Sequence, residues 1–383
     1  RRLLPAVLFP LGAAELCLAL GALFFYLSDP SRGLFFPAAP LEPRGGLAAA
    51  CALVLAAALL RLGCLPLHGW MVRAARGSGD LRLVHLLLVD LTLGTFLLFA
   101  ATRVLFRWGG TWVWLCFGLA AVSLAEMVRE LLYARERGAV WGLLCAAMGA
   151  SLALCASPGG QAAAAAARLG LWGGIPALAL VDMGSGGGKG RAWARVVGGA
   201  SLLGLPPLAG FAWRWMGFQV LAGEFGGGAT VLFLAAVPLA FAGALVMGMT
   251  ALLLPRGGEE GASVPPTLAA GSLLSAWLVA VGVYPGAMVD LLMREYGLPV
   301  AIPFAAWTSL GWAVFICAGL AVLVLWAWTM RGGARQPAAF PVGAALPLAV
   351  GKSSPLPPWC ESGRARAAMA ACGGAVYVAW LAA

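Results

Sequence analysis

Apolar residues along this chain come in long unbroken blocks, not in alternation. The blocks run Leu3–Leu27, Gly46–Leu65, Leu83–Phe106, Thr111–Val128, Ala139–Ala156, Ala162–Met183, Val196–Gly223, Thr230–Leu254, Leu268–Met293 and Ala305–Met330, with a weaker one at Ala367–Ala383. Crossing the ~30 Å hydrocarbon layer of a bilayer takes about 20 residues of helix, which is the scale of these blocks. They are rich in Leu and Ala and lack period-two alternation, so they predict helices and not barrel strands. The expected architecture is all-α, a polytopic integral membrane bundle of about ten or eleven spans. The first block is too long and too much part of the repeating pattern to read as a cleaved signal.

Two blocks carry an internal break. Gly204-Leu205-Pro206-Pro207-Leu208-Ala209-Gly210-Phe211-Ala212-Trp213-Arg214 lies inside the run Val196–Gly223. Each proline removes a backbone donor and clashes with the preceding turn. Within a membrane such a break survives only where protein or a water-filled cavity satisfies the freed carbonyls. Arg61-Leu62-Gly63-Cys64-Leu65-Pro66 repeats the combination of proline and arginine at the end of an earlier span. Paired interrupted helices in two halves point to a transporter-type inverted repeat.

Composition agrees. The chain is 62% hydrophobic and 10% charged, with a mean hydropathy of +0.92, against roughly 25% charged in a soluble domain. The net charge of +10 is topological. Taking the spans in order, one side receives Arg1, Arg2, Arg73, Arg76, Arg129, Arg135, Arg137, Lys189, Arg191, Arg195, Arg256, Arg331 and Arg335. The other receives Arg32, Arg44, Arg107 and Arg294, with Arg103 near that boundary. The bias places the N-terminus on the cytoplasmic or matrix side and argues against a nucleic-acid partner.

The nine cysteines form no CxxC or Cys/His cluster and read as small apolar filler, so no metal or iron–sulfur site is expected. The linker Gly184–Arg195 lacks the spacing of a phosphate loop and follows no strand, so it reads as an inside loop. The alanine run Gln161–Ala167 starts a helix, and Arg331–Arg366, rich in Pro, Gly and basic residues, reads as a surface tail. Tryptophans flanking span ends (Trp70, Trp108, Trp112, Trp326) read as lipid-interface anchors.

The stretch Gly204–Phe211, preceded by Ser201 and followed by a basic residue, resembles the broken twelfth helix of the antiporter-like membrane subunits of respiratory complex I, most closely the NADH dehydrogenase subunit 2 (NuoN) type. Arg61-Leu-Gly-Cys-Leu-Pro66-Leu67-His68-Gly69-Trp70 resembles the segment ending the family's seventh helix. Gly12-Ala13, Gly21 and Tyr26-Leu-Ser-Asp29 resemble its sixth, Arg135-Glu-Arg137 into Gly138–Ala156 its tenth, and Val281-Gly-Val-Tyr-Pro285 the end of its fourteenth. The resemblance covers residues 1–295 and implies an antiporter-like domain there, with 296–383 an extra C-terminal helix or helices and a basic tail. It implies that the first five helices, with the glutamate of the fifth, are missing. Assigning Leu3–Leu27 to the fifth helix, with Glu15 as that glutamate, would invert every loop.

The family's lysines of the seventh and twelfth helices stand here as Arg61 and Arg214, and Leu91 with Asp90 beside it takes the place of the eighth-helix lysine. Lysine loses its proton readily when buried, whereas arginine does not, so Arg61 and Arg214 organise water and a local field better than they carry protons. An arginine at mid-membrane costs at least about 2.5–3.5 kcal/mol, so each is either held in a cavity or snorkelling to the surface. Asp90 lies too deep to snorkel and is a relay or counter-ion. His85 is off its helical face; His85 and His68 are relay or structural histidines. Glu15, mid-span, is expected to be protonated or paired with a neighbouring subunit. The candidate path is thus Arg61, Asp90, Arg214, His68, His85 and Glu15, with Pro66, Pro206, Pro207 and Gly210 forming the breaks.

The resemblance implies a membrane-arm subunit of NADH:ubiquinone oxidoreductase coupling quinone reduction elsewhere to proton translocation, possessing no redox centre of its own. NADH, flavin, iron–sulfur clusters and ubiquinone would belong to other subunits, and lipids and neighbouring antiporter-like subunits would be its contacts. It implies the inner mitochondrial membrane with the N-terminus in the matrix, a bacterial plasma or thylakoid membrane being the alternative. Two other readings stay open: a stand-alone or hydrogenase-type cation/proton antiporter subunit, and a non-pumping scaffold.

Overall fold

The computed structural model describes residues 3–28, 41–65, 68–75, 89–105, 107, 110–134, 136–185, 192–224, 230–253 and 265–286. All fall in the first of the two units into which the chain divides, Arg1–Arg335. Pro66, His85, Trp108, Trp326, the spans expected after Met293 and the basic tail lie outside the described residues. Among the described residues the structure is helical, without strands. The helices are α1 (Leu3–Ser28), α2 (Gly46–Arg61), α3 (Gly69–Ala75), α4 (Thr92–Phe99, widening into a π turn over Ala100–Leu105), α5 (Gly110–Tyr133), α6 (Arg137–Ala156), α7 (Gly160–Ser185), α8 (Ala192–Leu203), α9 (Ala209–Glu224), α10 (Thr230–Leu253) and α11 (Pro265–Val283).

Four stretches are long and apolar enough to cross a bilayer: Phe9–Ser28, Gly110–Tyr133, Gly138–Ala156 and Ala162–Gly184. Shorter apolar helices accompany them, and two are short because the chain breaks. At 1.5 Å per residue, α2 spans about 24 Å and α8 about 18 Å, after which α3 and α9 resume. The run Val196–Gly223 therefore folds as two helices, not one. This polytopic membrane bundle is what the apolar blocks predict.

Helix α6 is buried along its whole apolar length and contacts α3, α5, α7, α9 and α10. Small residues make that possible, since a missing side chain lets a neighbouring backbone approach closely. Gly142 faces the Val72 Cα and Met71 carbonyl of α3, and Gly149 faces the Leu62 carbonyl just past α2. By contrast α1 packs on α2 through one face and exposes Phe9, Leu16, Leu23 and Leu27 on the other. Lipid tails are as apolar as leucine, so that face suits lipid.

Within α7, Pro176 has no N–H for the Trp172 carbonyl four residues back. Trp277 of α11 supplies the donor, its Nε1–H reaching the Trp172 oxygen at 3.1 Å. A side chain from another helix thus repairs a carbonyl the backbone cannot serve. The same device recurs at both broken helices.

Candidate functional site in two broken helices

The first break begins where α2 ends. Gly63 takes φ +68°, a left-handed conformation that costs glycine little. Its N–H donates to the Leu60 carbonyl (3.2 Å) and the Cys64 N–H to the Leu59 carbonyl (2.9 Å), the crossed pair of a Schellman ending. Leu65 N–H then donates to Ser123 Oγ of α5 at 2.9 Å. Trp70 Nε1–H reaches back to the Leu60 oxygen at 3.0 Å. Trp70 is therefore no lipid-interface anchor: its indole is buried because its N–H serves a carbonyl beside the break.

This break gathers three of the candidates. Arg61, the last residue of α2, is buried and donates from Nη1 to Asp90 Oδ1 at 2.9 Å, while Nη2 is ion-paired with Glu15 of α1. Asp90, just before α4, is fully buried at 0% exposure, whereas the Glu15 side chain is 58% exposed. The guanidinium thus bridges a buried carboxyl to one at the outer face of α1. The mid-span position of Glu15 predicts a neutral carboxyl or one paired with a neighbouring subunit. Instead its partner lies within this chain, because α1 packs directly along α2. Two carboxyls share one guanidinium, and charge-assisted bonds of this kind are the stronger sort. His68, one residue before α3, places Nε2 3.3 Å from Glu130 Oε1 of α5.

The second break repeats the backbone plan. Gly204 takes φ +83°; its N–H donates to the Ser201 carbonyl (3.0 Å) and the Leu205 N–H to the Ala200 carbonyl (3.0 Å). The chain passes through Pro206 and Pro207 and restarts as α9, with Leu208 N–H on the Leu205 oxygen. Gly210 N–H donates to Ser201 Oγ at 3.2 Å, and Gly210 packs so tightly on the Ser201 carbonyl that a side chain there would collide. Gly282 of α11 packs equally close on the Pro207 carbonyl. Arg214 turns back into the break, Nη1 donating to the Ser201 (3.2 Å) and Gly210 (3.3 Å) oxygens, with its guanidinium 4.6 Å from the Trp213 ring centre. It is buried, so neither it nor Arg61 snorkels.

Arg61, Asp90 and Glu15 therefore form one cluster, His68 a second contact with Glu130, and Arg214 a separate centre. His85 lies outside the described residues. Several contributors were not picked out from the sequence. Ser123 is a lone serine in an apolar span, a visible signal of an interior polar contact. Glu130 and Trp70 act through partners that only the fold brings near. Arg168 of α7, its guanidinium 4.0 Å from the Phe99 ring centre beside the π turn, is another intramembrane cation. Among the described residues no cluster of three or more His, Cys, Asp or Glu gathers as a metal site would need.

No family model and no curated protein sequence matches the chain. Solved structures do match. A chain of the Mrp complex from Dietzia sp. DQ12-45-1b aligns with TM-score 0.62 at 16% identity, over 76% of this chain and 66% of that one. A chain of respiratory complex I from Thermus thermophilus, solved with bound aureothin, aligns with TM-score 0.57 at 22% identity, over 74% and 66%. A chain of the membrane-bound sulfane sulfur reductase, an archaeal respiratory membrane complex, aligns with TM-score 0.60 at 14% identity, over 76% and 64%.

The chain shares their antiporter-like membrane fold. It spans a little under two thirds of the length of these structures. At such identities the likeness concerns architecture, and what each assembly does is a property of that assembly.

Proposed function

We propose that this chain is an antiporter-like membrane subunit of a respiratory complex, of the NADH dehydrogenase subunit 2 type, coupling redox chemistry in other subunits to proton translocation. The fold likeness to complexes of this kind and the motif at Gly204–Phe211 support the reading. The observation that carries it is the Glu15–Arg61–Asp90 cluster beside a broken helix at bilayer depth. Intramembrane ionisable residues are expensive and mark ion pathways. Arginine keeps its proton, so the groups in this cluster that take up and release one are the two carboxyls. Arg61 fixes their positions and the local field. The flavin, nicotinamide, iron–sulfur and quinone chemistry falls to partner subunits, and the inner mitochondrial membrane, N-terminus in the matrix, is the proposed location.

A relay whose lysines have become arginines has fewer exchangeable groups, so pumping through this subunit is weak and its scaffold role correspondingly large. Asp90→Asn and Glu15→Gln in the assembled complex test the reading. Each lowers the proton-to-electron ratio while electron transfer persists. An unchanged ratio in both variants overturns it in favour of the scaffold. Purification as a small oligomer without redox partners would favour the stand-alone antiporter instead.

A further inference from the structure

The first break carries further ionisable groups on the side where the arginines gather. Helix α5 ends just before Arg135 and Arg137, on the cytoplasmic or matrix side that the charge bias assigns. Ser123, Glu126 and Glu130 follow one another on α5 at spacings of three and four, which puts them on one helix face. Ser123 Oγ holds the Leu65 N–H of the break. Glu130, seven residues on, places Oε1 3.3 Å from His68 Nε2. His68 is fixed in turn, since its carbonyl accepts the Met71 N–H at 3.0 Å and so opens α3.

Exposure falls stepwise along these side chains, from 58% at Arg129 and 29% at Glu126 to 21% at Glu130 and 8% at His68. Arg129 grips both oxygens of Glu126, and a carboxylate in such a fork is committed to it. Glu126 also lies within hydrogen-bonding reach of Glu130. The remaining charges nearby are engaged or turned away: Arg73 of α3 donates Nε–H to the Gly69 carbonyl, Glu136 before α6 is exposed, and Glu15 of α1 is with Arg61. The two ring nitrogens of His68 differ. Nε2 meets Glu130, whereas Nδ1 is closed to solvent and has no hydrogen-bond partner among the described residues.

We infer that Glu130 and His68 form a proton-loading pair for the first break, fed from the inner aqueous phase. The inference rests on the proposed role in proton translocation. The partly exposed Glu130 carboxylate takes a proton from bulk water. Its O–H bond then breaks as an Nε2–H bond forms, leaving a carboxylate beside an imidazolium. Imidazolium carries its other proton on Nδ1, and a proton received at one nitrogen can leave from the other. Release from Nδ1, to water or to the carboxyls that Arg61 holds, restores a neutral ring. The charge has then passed from the edge of the ring that faces the wetted acid to the edge closed to solvent.

The test is the proton-to-electron ratio of the assembled complex in liposomes. Glu130→Gln keeps the side chain's length and its hydrogen bond to His68 but cannot carry a proton, while Glu130→Asp keeps the acid and shortens the reach. Glu130→Gln lowers the ratio as far as Asp90→Asn does, the two together lower it no further, and Glu130→Asp keeps most of it. His68→Ala loses as much as Glu130→Gln, and added imidazole restores it. A mere clamp between α3 and α5 predicts the reverse order, Glu130→Gln near wild type and Glu130→Asp impaired, and that result overturns the pair. Were the Glu130 variants to misassemble, His68→Ala decides: a ratio restored by imidazole upholds the pair, and an unrestored one overturns it. A drop in Asp90→Asn with none in Glu130→Gln removes the pair and leaves the proposed function standing. No drop in Asp90→Asn, Glu15→Gln or Glu130→Gln removes both.

Discussion

The two broken helices have one backbone and two electrostatic characters. Each ends in a glycine of positive φ, Gly63 or Gly204, with the same crossed pair of hydrogen bonds behind it. In each, the carbonyl three residues before that glycine, Leu60 or Ser201, takes a second hydrogen bond from a side chain of the following segment. The donor is a neutral indole in the first and a guanidinium in the second. Consequently the first break frees its arginine to face two carboxyls, while the second ties its arginine into the repair of the break itself. Two breaks can therefore share a shape while they differ in charge, because shape rests on glycine and carbonyl geometry and charge on a few side chains.

Neutralising each arginine gives the largest expected contrast. Arg61→Gln leaves Asp90 buried without its cation, and breaking a buried ion pair from one side costs about 3–5 kcal/mol. Arg214→Gln strands no carboxylate, and glutamine still offers a donor to the Ser201 carbonyl, so its cost is about 1–3 kcal/mol. Removing the acid as well should restore part of the loss: Arg61→Gln with Asp90→Asn is expected to be milder than Arg61→Gln alone by about 1–3 kcal/mol. Unfolding in nanodiscs, monitored for all four proteins, measures this. Equal losses at the two arginines would erase the distinction between the breaks.

The second contrast concerns what they share. Gly63→Ala and Gly204→Ala each force a Cβ into the left-handed region, at about 1–2 kcal/mol. Their neighbours differ, since a Cβ at Gly63 meets the flexible Met71 side chain and one at Gly204 meets Arg214 Nη1 at 3.3 Å. Similar stability losses are therefore expected, but only Gly204→Ala should disturb Arg214. Losses differing by more than about 1 kcal/mol would show that the shared hydrogen-bond plan does not set the cost.

How far the sequence announces this arrangement varies with the range of the interaction. Blocks of apolar residues and the two proline segments locate the helices and their breaks, because length and backbone chemistry are local. Arg61, Asp90 and Glu15 each stand out as charges in apolar runs, yet nothing in their spacing says that they meet. Their pairing depends on α1 packing along α2 and on the approach to α4. Trp70 follows the same rule: an indole near a span end looks like an interface residue until the fold puts the Leu60 carbonyl within its reach. Gly142 and Gly149, two helical turns apart on α6, serve backbones of α3 and of the first break. No single sequence position reveals which backbone will approach it.

The smallest expected effect separates structure from chemistry at the first break. Trp70→Phe keeps the ring's bulk and removes only the indole donor, leaving the Leu60 carbonyl with the Gly63 N–H. One neutral hydrogen bond is worth about 0.5–1.5 kcal/mol, so a modest drop in unfolding midpoint is expected. Because Trp70 touches neither Arg61 nor its carboxyls through this bond, proton transport by the reconstituted complex should be unchanged. At the second break the corresponding donor is Arg214, so loss of the repair there is inseparable from loss of the charge. If Trp70→Phe slowed transport as much as Asp90→Asn, the carbonyl repair at the first break would be part of the proton path. The two breaks would then be alike in chemistry as well as in shape.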